Sequence, residues 1–208
     1  MIERSYHRDR GQQEVEMTIR GYDIIHTETA YAGWTKLLVA TIRLPDGRMI
    51  KREIEDHGVA VCVLPYDPLR KTAILVRQFR APVLLAANRE HTLEAIAGIL
   101  EETDTAECAR REAMEEAGLK LDSLELVVVG WSMPGLSTER MYFYLAPYSG
   151  QARADVRGGL AGEDENTVPV EMNLSELAKW ADHGRLLDVK TMLLVQTLRL
   201  RKPELFLE

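Results

Sequence analysis

Between residues 15 and 79 apolar and polar positions alternate or gather into short apolar runs, the period of strands rather than of helices. Five such runs stand out, at 17–25, 35–44, 48–54, 59–65 and 72–79. Pro45-Asp46-Gly47 predicts a hairpin turn and Asp67-Pro68 a second break. A polar loop over 86–91 and a short strand over 92–96 follow, and then the period changes. Residues 105–117 carry Ala, Cys and Met at helical spacing and end at Gly118, which suits a left-handed C-cap. Strand patterns return at 124–131 and 141–146, either side of Met133-Pro134-Gly135. Residues 149–166 are polar, contain Gly158-Gly159 and an acidic cluster, and are long enough that a compact domain has to use them or leave them disordered. A closing strand at 168–172 and amphipathic helices at 174–183 and 189–201 complete an α+β pattern, with the chemistry expected between two sheets.

Composition narrows the function more than the fold. The 208 residues suffice for one domain with a small N-terminal addition. With 46% apolar and 28% charged residues, collagen, coiled coil and disorder are excluded. Twenty-six Lys and Arg against 33 Asp and Glu give a net charge of −7. Such a chain lacks the basic field that polynucleotides or anionic membranes require, so phosphate recognition has to be local. Cys62 and Cys108 lie in apolar or helical surroundings and read as buried thiols, with neither a disulfide framework nor a zinc site available. The N-terminus has no apolar signal region, and the longest apolar run, 59–64, is far short of the roughly 20 residues of a membrane span. A cytoplasmic protein is expected.

The chemically informative segment is 94–119, EAIAGILEETDTAECARREAMEEAGL. On a helix, residue 112 shares a face with 115 and 116, so Glu112, Glu115 and Glu116 converge and repel one another. Arg110 and Arg111 can neutralise such a face, and so can a divalent cation.

The surroundings favour the cation. Ala97-Gly98 followed by Arg111-Glu112-Ala113-Met114-Glu115-Glu116-Ala117-Gly118-Leu119 resembles the Nudix box. The spacing from Gly98 to Arg111 is one residue shorter than usual, and Asp104 stands near where the box has Glu. Outside the box, KREIEDHG at 51–58, LVRQFR at 75–80, MPGLSTE at 133–139, GGLAGEDEN at 158–166 and DVKT at 188–191 are similar to the nucleoside-diphosphate-sugar branch of that superfamily. The resemblance implies an α/β/α sandwich with a mixed sheet over 58–208. An antiparallel N-terminal β segment over 1–57 precedes it and is exchanged in a homodimer.

The resemblance also implies the site. Mg²⁺, with Mn²⁺ as a possible substitute, is bound by the Ala97 carbonyl, Glu112, Glu116 and Glu165, with Glu115 joining through water or a second ion. Glu163 is the expected general base, while Glu115 and Glu116 also belong to the catalytic group. Trp34, Arg52, Glu53, Arg80, Glu139, Asp164 and Lys190 are the expected substrate contacts. Arg80 is the foremost phosphate candidate, since a guanidinium fork matches phosphate oxygens. Trp34 either stacks on a base or belongs to the core, and Lys190 either reaches substrate or lies on the surface. Arg111 is read as an orienter of the carboxylates. The expected activity is hydrolysis of a nucleoside diphosphate sugar to a nucleoside monophosphate and a sugar phosphate. The alternative is a sensor or scaffold that binds the same ligand without turnover.

Overall fold

A computed structural model describes residues 21–101, 103–150 and 167–207. The chain divides into two compact units, Met1–Ile54 and Glu55–Glu208.

The first unit is a three-stranded sheet of β1 (Asp23–Ala32), β2 (Lys36–Arg43) and β3 (Met49–Glu55), in that order. β1 and β2 are antiparallel. The link from β2 to β3 is the expected hairpin turn. Gly47 takes φ 85° and donates to the Leu44 carbonyl, and the Asp46 carboxylate receives the Arg48 amide and guanidinium. The first strand corrects the expected 17–25, because β1 runs on through His26–Ala32. That stretch, HTETAYA, has no apolar alternation and is exposed throughout, so the pattern that marks half-buried strands is missing from it.

The second unit has a mixed seven-stranded sheet. Its main path is β10 (Val168–Asn173), β5 (Thr72–Phe79), β4 (Val59–Asp67), β9 (Arg140–Pro147) and β8 (Glu125–Trp131). β4 and β9 are parallel, and the other pairs with a determined register are antiparallel. β4 and β5 pair only at Tyr66↔Ala73 and Asp67↔Thr72, and then diverge. The gap is filled by β6 (His91–Glu94) on β5 and β7 (Ile96–Ile99) on β4. The single expected strand at 92–96 is thus two, broken at Ala95 where the chain crosses from one partner to the other. The helix α1 (Ala81–Ala87) was not foreseen. Its seven residues, APVLLAA, are all apolar and span only about two turns, so no polar positions alternate with them to mark a helical period, and Asn88 caps it at φ 51°.

One face of this sheet carries α2 (Thr105–Ala117), whose Cys108, Ala109, Ala113 and Ala117 pack on Val61, Val63, Ile74, Val76 and Ile96. The opposite face carries α3 (Leu174–Asp182) and α4 (Val189–Arg201). Leu174, Leu177, Leu194, Val195 and Leu198 there meet Cys62, Leu64 and Leu75. A helix layer on each side makes the α/β/α sandwich. Small residues on α2 let it approach the sheet closely, and that closeness sets the position of its glutamates. Both cysteines are buried and neither is in a disulfide, and burial pushes the Cys62 thiol far up, as expected of an inert core residue.

Candidate active site

The helix that bears the acids begins and ends where the sequence places it. Asp104 is its N-cap, and its carboxylate accepts the Ala106 and Glu107 amides. That is the role of the residue standing where the box has Glu. Gly118 closes the helix at φ 64°, returning its amide to Met114, while the Leu119 amide reaches back to Ala113.

Between these caps Glu112 and Glu116 lie one turn apart, each 9% exposed. The Glu112 carboxylate occupies the space above Gly98 on β7, so close that a Cβ there would lie 2.0 Å from Oε1. Gly98 is thus the cradle for an acid, and Ala97 precedes it on the same strand. Arg111 sits between two carboxylates, with Nη2 2.8 Å from Glu112 Oε1 and Nη1 2.7 Å from Glu115 Oε2. Its Nη2 also lies 3.6 Å from Cys108 Sγ. Arg111 therefore spans the acids as an orienter does, and Glu115 is turned toward it. These acids lie between a helix and one sheet, not between two sheets.

Among the described residues no three His, Cys, Asp or Glu side chains gather as a ready metal cluster. The donor types nevertheless fit a hard divalent cation. Two buried carboxylates on successive turns stand beside a strand whose glycine leaves room for one of them. Glu163, Asp164 and Glu165 lie outside the described residues.

The remaining expected contacts are distributed unevenly. Trp34, 87% exposed, and the exposed Arg52 and Glu53 belong to the first unit, where Arg52 donates to the Lys51 carbonyl. Glu139 lies in the second unit, with Oε1 3.4 Å from His57 Nδ1. The Thr138 hydroxyl receives the His57 and Gly58 amides and so fixes the loop beside it.

Arg80 and Lys190, which the sequence offers as separate cations, meet on one carboxylate that sequence reasoning passed over. Glu94, at the end of β6, is 3% exposed. Its Oε1 accepts Arg80 Nε at 2.9 Å and the Thr92 hydroxyl, and its Oε2 accepts Arg80 Nη2 at 3.0 Å and Lys190 Nζ at 2.5 Å. Lys190 also donates to Asp188 at 2.9 Å. Asp188 caps α4 by accepting hydrogen bonds from the Thr191 amide and the Thr191 hydroxyl, and Thr191 Oγ1 accepts the Ala95 amide at 2.6 Å. Burial alone raises the Glu94 carboxyl, but the hydrogen bonds and charges of Arg80 and Lys190 outweigh it and hold it down at about 2. Burial lowers Lys190, and Asp188 and Glu94 more than restore it, so the ammonium stays charged. The signal available in the sequence was the charge itself, since an acid inside a short apolar strand requires a cationic partner.

The comparisons with known proteins agree with this geometry. The NUDIX domain model matches residues 56–189. A GDP-mannose pyrophosphatase of Cronobacter sakazakii is 37% identical over 159 residues, covering 75% of this chain and 82% of the relative. One of Pectobacterium atrosepticum is 34% identical over 179 residues, covering 84% and 92%. A crystal structure of an ADP compounds hydrolase shares the fold, with a TM-score of 0.72 at 16% identity over 89% of this chain and 96% of that one. The acids of α2 above Gly98, the sandwich that holds them and these matches together show that the chain belongs to the Nudix family.

Proposed function

We propose that this protein hydrolyses the diphosphate bond of a nucleoside diphosphate sugar, releasing a nucleoside monophosphate and a sugar phosphate. GDP-mannose is the first substrate to try and ADP-ribose the second. The observation that carries the reading is the placement of Glu112 above Gly98, with Glu116 one turn on and Arg111 spanning Glu112 and Glu115. Relatives covering most of this chain are GDP-mannose pyrophosphatases.

A Mg²⁺ ion is the proposed cofactor, held by the Ala97 carbonyl, Glu112, Glu116 and Glu165. When bound, it neutralises phosphate charge while water attacks phosphorus in line. The chain's own groups do the rest. Arg111 keeps two carboxylates apart and oriented, and Glu163 takes the proton of the attacking water. Arg80 and Lys190 face the diphosphate, and Trp34, Arg52, Glu53, Glu139 and Asp164 complete the substrate contacts. A homodimer is proposed through the N-terminal sheet, with residues 1–57 as its segment and 58–208 as the catalytic domain. Two buried cysteines outside any disulfide suit a reducing compartment, and the cytoplasm is the proposed setting.

Purified protein with Mg²⁺, offered nucleotide sugars, dinucleotides and nucleoside triphosphates, tests this directly. GMP and mannose 1-phosphate from GDP-mannose are expected. Preferential cleavage of triphosphates overturns the substrate class, and tight binding without turnover makes the protein a sensor.

A further inference from the structure

The cluster around Glu94 contains four charged side chains, two acids and two bases, with Glu94 itself buried. Buried ion pairs are poor sources of stability, because desolvation consumes most of the attraction and apolar replacements often do better. Their presence here calls for a use other than folding. An ionised carboxylate has about four acceptor positions. On Glu94 all four are taken, by Arg80 twice, Thr92 once and Lys190 once. No lone pair remains for a metal ion or a substrate hydroxyl, so Glu94 can act only through the cations it holds.

Each cation is held through more than one bond: Arg80 gives Glu94 two N–H groups, and Lys190 gives one of its three to Glu94 and one to Asp188. Arg80 Nη2 and Lys190 Nζ share Glu94 Oε2, so the two positive groups are neighbours through a single oxygen atom. Without that oxygen two like charges at this separation repel and their long side chains swing apart. With it they form one unit, fixed on one side by the end of β5 and on the other by the first turn of α4.

We propose that Glu94 is the positioning residue that joins Arg80 and Lys190 into a single clamp for the diphosphate of the substrate. The assignment rests on the nucleotide-sugar reading above. Glu94 does not touch the substrate. It sets the spacing of two cations that would otherwise bind phosphate independently, and it lowers the entropy lost when they close on it. A clamp of this kind grips the diphosphate equally before and during hydrolysis, so its loss appears in KM rather than in kcat.

The test measures GDP affinity by calorimetry and GDP-mannose kinetics, both with Mg²⁺, in the wild type, Glu94→Gln, Glu94→Asp, Lys190→Ala and Glu94→Gln/Lys190→Ala. Glu94→Gln is expected to raise the Kd for GDP and the KM about tenfold to a hundredfold, the range of lost charge-assisted contacts, with kcat within about threefold. Glu94→Asp keeps the charge and recovers part of the loss. Lys190→Ala weakens binding in the wild type and adds little to Glu94→Gln, because the clamp is already open. Unchanged or tighter GDP binding by Glu94→Gln overturns the proposal, since Glu94 then only neutralises the cations. Equal costs of Lys190→Ala in both backgrounds overturn it as well. If Glu94→Gln does not fold, judged by circular dichroism, Glu94→Asp decides, and wild-type affinity in that variant counts against the clamp. A wild type that binds GDP but cleaves no nucleotide sugar removes the hydrolase reading alone, and the GDP affinities still judge Glu94. A wild type that neither binds GDP nor turns over removes both.

Discussion

Glu94 makes the fold itself sensitive to acid. Its carboxyl sits at about 2 in the folded protein against an ordinary value of 4.5. A depressed carboxyl contributes its stability above the unfolded value and loses it as the pH falls through the folded one. The pH-linked part of the stability, roughly 3 kcal/mol from that difference, is therefore complete above about pH 5 and lost progressively toward pH 2, and it measures ionised against protonated Glu94, not the ion pairs against apolar replacements. Urea titrations across that window should show a stability slope that is shallower in Glu94→Gln. A second expectation concerns Glu116, where Gln keeps the shape and removes the charge. Turnover should fall on the order of a hundredfold while the thermal midpoint stays near that of the wild type. Near-normal Mg²⁺-dependent activity in Glu116→Gln excludes it as a metal ligand. At this scale the sequence displays the acids well, because Glu112, Glu115 and Glu116 repeat at helical spacing. It displays Arg80 and Lys190 only as isolated cations, because their meeting joins residues far apart in the chain and no local period encodes it.

The contact between β7 and α2 makes an element-level expectation. A methyl group at Gly98 has no room while the Glu112 carboxylate stays in place. Gly98→Ala should displace that carboxylate, since a side-chain end yields more cheaply than a strand. Activity should drop by at least tenfold with only a small change in melting temperature, and the two are read on the same sample. Asp104→Ala removes the cap of α2 and should cost about 1 kcal/mol, a melting shift of about 2 to 4 °C, without touching the acids. The ends of α2 and α4 are legible from sequence because each starts at an Asp cap, with Gly118 closing α2. α1 and the second half of β1 are not, because APVLLAA is apolar at every position of a helix of about two turns and HTETAYA has no apolar alternation, so neither shows a period.

The N-terminal sheet poses its question for the whole molecule. Between residues 21 and 54 only Ala40 is fully buried, and Tyr22, Ile24, Ile25 and Tyr31 are about half exposed or more. Large apolar side chains left this open on a three-stranded sheet suit a surface that a second copy covers. Light scattering at micromolar concentration should give about twice 23.6 kDa, and a monomer of full activity would exclude the dimer as a working unit.

Within the second unit, the hydroxyl of Thr191 receives the amide of Ala95 across 96 positions of chain. Closing so long a loop is entropically costly and late in folding, so the junction of β6 and β7 reaches its final form only after the C-terminal helix has docked. The Ala95 proton should therefore exchange with deuterium at the rate at which α4 lifts from the sheet. In Thr191→Val, which retains the bulk but not the acceptor, the same proton would exchange ahead of its strand neighbours, reporting on a helix that carries none of the family's acids.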